Sequence, residues 1–357
     1  MVKWIFLQFC LAVLIIPLQG QETDSLMSSA ANDAPSGSFR LFEDDGIMDV
    51  TIRFDLTTYL RKKPKDDFLK AELTFHLGEN DSLSRKVRLK TRGEFRNRYC
   101  GYAPIELNFK KVDFGFSDLD SIDKLKLVTQ CSNGTDDENY IMKEYLVYKL
   151  FSVLTDTSFR VRFLRVTYID NKRERKPITQ YGFFMEPVEL LAARVNTVQI
   201  KTAALTQKHI VPFVMDRLAI FNYMIGNYDW SIPGQHNVKV FTAADPGITK
   251  YGIAIPYDFD WSGFVNTSYA IPAENVPVTS VRQRLFTGVC RSKETFNKNL
   301  DPFAVNEQNF YRVINDFPHL KPREKTDVID FLDEFFDQVR GNRNSIVYYL
   351  QNNCKNF

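Results

Sequence analysis

The sequence predicts an α+β protein in two unlike parts. An N-terminal antiparallel sheet lobe carrying one helix is followed by a mainly helical C-terminal lobe. Three observations predict this. Short segments between residues 48 and 131 alternate apolar and polar side chains with the period of half-buried strands. A run at 139–154 is apolar most of the way round at helical period, as a buried helix is. Beyond Pro187 helical periodicity dominates to the end of the chain.

Taken in order, the chain opens MVKWIFLQFCLAVLIIPLQGQ. Lys3 precedes the apolar run 4–17, and Gly20 supplies a small residue before Gln21. This is the pattern of a secretory signal peptide, residues 1–20, cleaved after Gly20. The run is short for a bilayer span, polar sequence follows at once, and no later stretch is long and apolar enough to cross a membrane. Residues 21–38, rich in Ser, Ala, Asp and Gly, read as a disordered leader. The N-lobe, 39–186, then supplies strands at MDVTIRFDL, KAELTFHL, SRKVRLKTRG, PIELNFKK and DKLKLVTQC. The helix NYIMKEYLVYKLFSVL follows, and sheet returns with SFRVRFLRVTYID and PITQYGFFME around a basic hairpin tip, NKRERK. The C-lobe, 187–357, supplies helices at VELLAARV, HIVPFVMDRLAIFNYMIG and EKTDVIDFLDEFFDQVRG, with a short strand pair at 238–241 and 251–256. The seam between such lobes favours a small-molecule site.

A hydrophobic content of 44% with 30 Phe supports a large core. A net charge of +2, with basic and acidic residues interspersed, argues against a nucleic-acid binder. Beyond the leader the cysteines are Cys100, Cys131, Cys290 and Cys354. An even number in an exported chain, secreted or periplasmic, suggests two disulfides. Three pairings are open; Cys100–Cys131 and Cys290–Cys354 are favoured because each lies within one half of the chain. No pair has C-x-x-C spacing and no His stands at ligand distance, which argues against zinc. The absence of G-x-S-x-G and H-E-x-x-H excludes serine-hydrolase and metalloprotease readings.

The candidate chemistry lies in IGNYDWSIPGQHN (225–237) and IPYDFDWSG (255–263). The apolar segment GIAIPY delivers two carboxylates, Asp258 and Asp260. If the strand continues, its period of two puts both on one face. A hard divalent cation bound with phosphate oxygens takes carboxylates and an amide oxygen, which Asp258 and Asn237 can supply. Asp229 is then free to orient or deprotonate an attacking hydroxyl. This is the division of labour in phosphoryl transfer by kinase-type enzymes.

Together with Arg92-Gly93 and YGFFMEPVE (181–189), these stretches stand in an order that resembles the spore-coat CotH family of atypical, protein-kinase-like proteins. The ordered set covers most of the chain beyond its first predicted strand. The resemblance implies a two-lobed protein-kinase-like fold, ATP with Mg2+ or Mn2+ as cofactors, and a protein hydroxyl as acceptor. It implies Asp229 as the catalytic residue, Asn237 and Asp258 as metal ligands, and Asp260 as a second acidic contact. Residues 186–188, beginning with Glu186, would form a hinge beside the adenine. Lys126 and Glu144 would make the lysine–glutamate pair, with Lys124 and Lys90 open for the lysine, and Arg92 would cover the phosphates. This chain departs from the kinase pattern in lacking a G-x-G-x-x-G loop, in a D-to-N spacing wider than D-x-x-x-x-N, and in D-F-D for D-F-G. Two other functions stay open. The missing Gly-rich loop favours a non-catalytic envelope interaction protein. The D-x-D at 258–260 suits a metal-dependent glycosyltransferase, ranked lower because the preceding half reads as antiparallel sheet.

Overall fold

Alternating sequence in the first half becomes strands that close on themselves. In the computed structural model, residues 38–356 are described apart from 203, 246 and 275. The expected signal peptide, and the expected leader up to residue 37, lie outside the described residues. The first half runs β1 (Met48–Phe54), α1 (Leu56–Lys62), β2 (Leu69–His76), β3 (Ser82–Thr91), α2 (Phe95–Tyr99), β4 (Ile105–Asn108), α3 (Ser117–Asp120) and β5 (Lys124–Thr129). It continues with α4 (Thr135–Leu154), β6 (Val161–Asp170) and β7 (Ile178–Met185). The strand order is β1-β2-β3-β4-β5-β7-β6, and β1 pairs in parallel with β6, from Met48 opposite Leu164 to Phe54 opposite Asp170, to close a barrel. The other neighbours are antiparallel.

This closed, mixed barrel overturns the expected two-lobed protein-kinase-like fold with its antiparallel N-terminal sheet. Closure removes both sheet edges, which an open sheet must shield by other means. Alternation reports only that one face of a strand is buried, and the face is the same whether the sheet is open or closed. Val50, Ile52 and Phe54 of β1, Leu73 and Phe75 of β2, Leu125 and Leu127 of β5, Leu164 and Val166 of β6, and Phe184 of β7 fill the interior. Val128, Phe163, Phe183 and Met185 point the other way, into a second core shared with Tyr145 and Tyr148 of α4. Burial on both faces explains the unbroken apolar run at the end of β7.

The second half runs α5 (Val188–Arg194), β8 (Thr197–Ile200), α6 (Pro212–Met224), β9 (Val238–Ala243), β10 (Ile253–Pro256), α7 (Lys293–Asp316), α8 (Pro322–Arg340) and α9 (Arg343–Asn353). β8, β9 and β10 form a small antiparallel sheet with β9 in the middle. α7 and α8 bury one stripe each, Phe296, Leu300, Phe303 and Phe310 against Phe331, Leu332, Phe335 and Phe336, in the core that also holds α4 and α6. The described chain therefore forms one compact unit.

Both favoured cysteine pairings are present: Cys100–Cys131 and Cys290–Cys354, with Cα atoms 4.5 and 4.8 Å apart. Such bonds fit an oxidising compartment. No helix among the described residues is long and apolar enough to cross a membrane.

Gly182 is required where β7 meets β5. A Cβ there would lie 2.7 Å from the Val128 carbonyl oxygen and 3.3 Å from Leu127 Cδ1. The carbonyl is backbone of the strand it pairs with, so it cannot give way without disturbing the ladder. Gly182→Ala is expected to destabilise the protein by about 1–3 kcal/mol, read as a lower denaturant midpoint at unchanged slope.

Candidate functional site

The stretch after α6 is folded back on itself. Gly226 turns the chain with φ of 65°, a left-handed conformation that a side chain would make costly. Asn227 is buried, donates from Nδ2 to Asn222 Oδ1 at 2.9 Å, and accepts the Asp229 amide at 3.0 Å. Ser231 donates its amide to the His236 carbonyl at 3.0 Å, closing the turn. The fold-back sets His236 and Asn237 on Asp229. His236 Nε2 lies 2.8 Å from Asp229 Oδ1, and Asn237 Nδ2 donates to Asp229 Oδ2 at 2.9 Å. Each carboxylate oxygen is thus held by one neighbour.

The second stretch arrives by strand pairing. β9 and β10 pair with Val238 opposite Pro256, so Asn237 and Tyr257 continue the ladder, and the Tyr257 amide donates to the Asn237 carbonyl at 3.0 Å. β10 ends at Pro256 and does not continue through the acids. Asp258 adopts φ of 63° and Asn237 φ of 49°, both left-handed, which Asp and Asn tolerate better than most residues. The turn sends Phe259 into the core against Tyr148, while Asp258 and Asp260 both line the cavity. The Asp258 amide donates to Tyr148 Oη at 2.9 Å, which ties this turn to α4.

One cleft of about 230 Å3 collects these groups. Asp229, Asn237, Asp258, Asp260, Glu144 and Arg92 all line it, together with Arg96, His236, Tyr257 and Trp261. Residues far apart in the chain meet here because α4, the fold-back after α6 and the end of β10 converge on the barrel's outer wall. Two expected contacts do not form. Glu144 faces Arg96, at 3.5 Å, in place of Lys126. Glu186 is buried in a pair with Arg194, at 2.8 Å, and accepts the Arg160 amide at 3.0 Å, so both its oxygens are committed away from the cleft. Its neighbour Met185 reaches the cleft instead. Lys124 and Lys90 both lie near Glu106, at 3.8 and 3.9 Å.

Arg96, Lys239, Tyr148 and Tyr269 are the residues that sequence reasoning missed. Arg96 stands in RGEFRNRYC, and the Cys100–Cys131 bond pins that loop to the end of β5. Arg96 accordingly donates to the Thr129 carbonyl as well as facing Glu144. A basic loop ending in a cysteine was the available signal.

The cleft is electrically mixed. Among its acids, burial first and then the Asp258 charge push the Asp260 carboxyl up to about 7, with Arg96 opposing. Burial also raises Glu144, again against Arg96. Asp260 accepts a hydrogen bond from Tyr269 Oη at 2.9 Å. The His236 imidazole is raised, chiefly by its hydrogen bond to Asp229. Lys126 and Lys239 do not line the cleft; their ammonium groups stand 5.6 and 5.0 Å from the centre of the ring of Tyr257, which does. Burial first, then Arg92 and Lys239, depress Lys126 to about 8.

Among the described residues, no group of three or more His, Cys, Asp or Glu side chains is arranged to hold a metal ion. The protein's own offer to a cation is therefore two carboxylates, Asp258 and Asp260, and the amide oxygen of Asn237, whose nitrogen is committed to Asp229. These are hard oxygen donors, the kind that Mg2+ takes beside waters and phosphate oxygens. No protein-family model and no curated protein matches the chain.

Because Asp260 binds its proton more tightly in the folded than in the unfolded chain, stability falls as pH rises from 3.8 to about 7. Asp260→Asn removes this component. In chelator, the melting temperature of the wild type is expected to drop more than that of Asp260→Asn across this window. Parallel melting curves against pH would show that Asp260 carries no such penalty.

Proposed function

We propose that the cleft binds the phosphates of a nucleoside triphosphate with a divalent cation and transfers the terminal phosphoryl group to a hydroxyl of a protein substrate. The observation that supports it most is the mix of charge: Asp229, Asp258 and Asp260 line the cleft, and the cations Lys126 and Lys239, which do not line it themselves, lie against the ring of its wall residue Tyr257. Carboxylates alone would repel a phosphate, and cations alone would not hold a metal. The two together match a metal–polyphosphate complex. Arg92 beside Gly93, whose φ is 81°, brings a third cation, and this one lines the cleft. At about 230 Å3 the cleft is below the roughly 300–1,000 Å3 of a whole small-ligand site, so it suits the phosphates and leaves the base outside.

In this reading Asp229 is the general base. His236 and Asn237 hold its carboxylate in one orientation. The acceptor hydroxyl gives its proton to Asp229, its oxygen bonds to the terminal phosphorus, and the bond to the bridging oxygen breaks, releasing the nucleoside diphosphate. A bound cation would neutralise charge on the phosphate oxygens. The proposal rests on these residues and on the motif order that resembles CotH proteins. It does not rest on a kinase fold.

One observation favours a second donor. Phe95 and Tyr99 stack at 5.2 Å beside Trp261 and stay 39% and 56% exposed. Exposed rings at the rim suit the face of a sugar, as in a sugar-diphosphate donor.

Magnesium-dependent ATP binding is expected in calorimetry and is lost in Asp258→Ala. Asp229→Asn is expected to keep that binding and to lose about 10²-fold or more in transfer rate. No ATP binding at millimolar concentration with magnesium present overturns the proposal, and binding of UDP-sugars alone selects the second donor.

A further inference from the structure

The described residues also hold an apolar groove of about 610 Å3, bounded by the C-terminal end of α4, the start of α6, and β10 with the loop before it. It shares no lining residue with the acidic cleft. Phe151, Val214 and Ile253 line it, and Phe213 and Ile248 stand at its rim, 58% and 68% exposed. Large apolar side chains gathered in the open around a concavity mark a binding surface more often than chance exposure. Arg217 lies among them. Its guanidinium is 5.5 Å from the centre of the Phe213 ring, and no hydrogen-bond or ion-pair partner reaches it among the described residues. Burial alone acts on its charge and disfavours it. The neighbouring Asp216 offers no relief, since it is turned inward to Arg291 and Asn299 at 2.9 and 2.8 Å.

A half-buried guanidinium against apolar walls is costly until an anion meets it. A groove of this volume falls within the range of small-ligand sites, roughly 300–1,000 Å3. An anionic group on an apolar chain satisfies both features, whereas an inorganic anion satisfies only the charge and a neutral lipid only the walls. We propose that the groove binds a single-chain amphiphile with an anionic head, its chain along Phe151, Val214 and Ile253 and its carboxylate on Arg217. A flat membrane surface fits less well, because the apolar residues line a concavity and do not form a projecting ridge.

The site is independent of phosphoryl transfer and is tested separately. The full chain is titrated by equilibrium dialysis with labelled sodium hexadecanoate below its micelle concentration, and with methyl hexadecanoate as the uncharged control. Saturable one-to-one binding of the acid is expected, with the ester weaker by at least about tenfold. Arg217→Met is expected to bind the acid no better than the ester, with a melting temperature no lower than that of the wild type. Absence of saturable binding, equal affinity for acid and ester in the wild type, or an unaltered Arg217→Met overturns the proposal. So does binding to anionic phospholipid vesicles without binding of the monomeric acid. The acid–ester comparison in the wild type stands even if the variant fails to fold.

Discussion

Helix α4 is the element on which the rest of the structure depends. One side packs Tyr145 and Tyr148 on Phe163 and Phe183 of the barrel wall, at 5.0 and 5.6 Å between ring centres. The other side is covered by the helical layer: Lys143, nearly buried, reaches Glu324 and Asp327 of α8 at 2.6 and 3.1 Å. Removing either acidic partner would leave a buried ammonium poorly compensated, which is costly. The next residue, Glu144, points to Arg96, and one turn later Tyr148 accepts the Asp258 amide. A single helix therefore registers the barrel, the helical layer and the acidic turn against one another.

The cleft built around this helix is poorly suited to stability alone. Asp229, Asp258 and Asp260 repel one another, and Asp260 is held partly protonated near neutrality as a result of burial and that repulsion. Lys126, beside the cleft, is depressed for the mirror-image reason. Groups displaced in opposite directions close to one concavity are commonly associated with ligand chemistry, because a ligand of matching charge relieves the strain. The Arg96–Glu144 pair, screened from solvent and anchored near a disulfide, holds the floor in place while that strain persists.

Most strand positions, β8 excepted, the long buried helix and both disulfide pairings were legible in the sequence because each depends on local periodicity or on proximity along the chain. The longest helix, α7, was not singled out; its segment carries Pro302 and scattered polar residues that weaken the pattern. Barrel closure was not legible either. It depends on β1 lying parallel to β6, and no local feature of MDVTIRF distinguishes an edge strand from one with two neighbours. The paired acids were visible as D-F-D, but the reason both face the cleft is a left-handed turn at Asp258 and not strand alternation.

By itself the sequence determined which polar residues stand at the ends of apolar segments. Asp229, Asn237, Asp258 and Asp260 stand where an apolar helix or strand gives out, and Asp and Asn at such points mark turns that hold polar groups near a core. Only the tertiary structure decided their partners. Glu144 took Arg96 because a disulfide carries that loop across β5, Glu186 took Arg194, and Lys126 was left beside Tyr257 with no ion pair among the described residues. Side-chain identity is local, whereas pairing of charges depends on distance through space, and that distance is set by how the barrel closes and where α4 packs upon it.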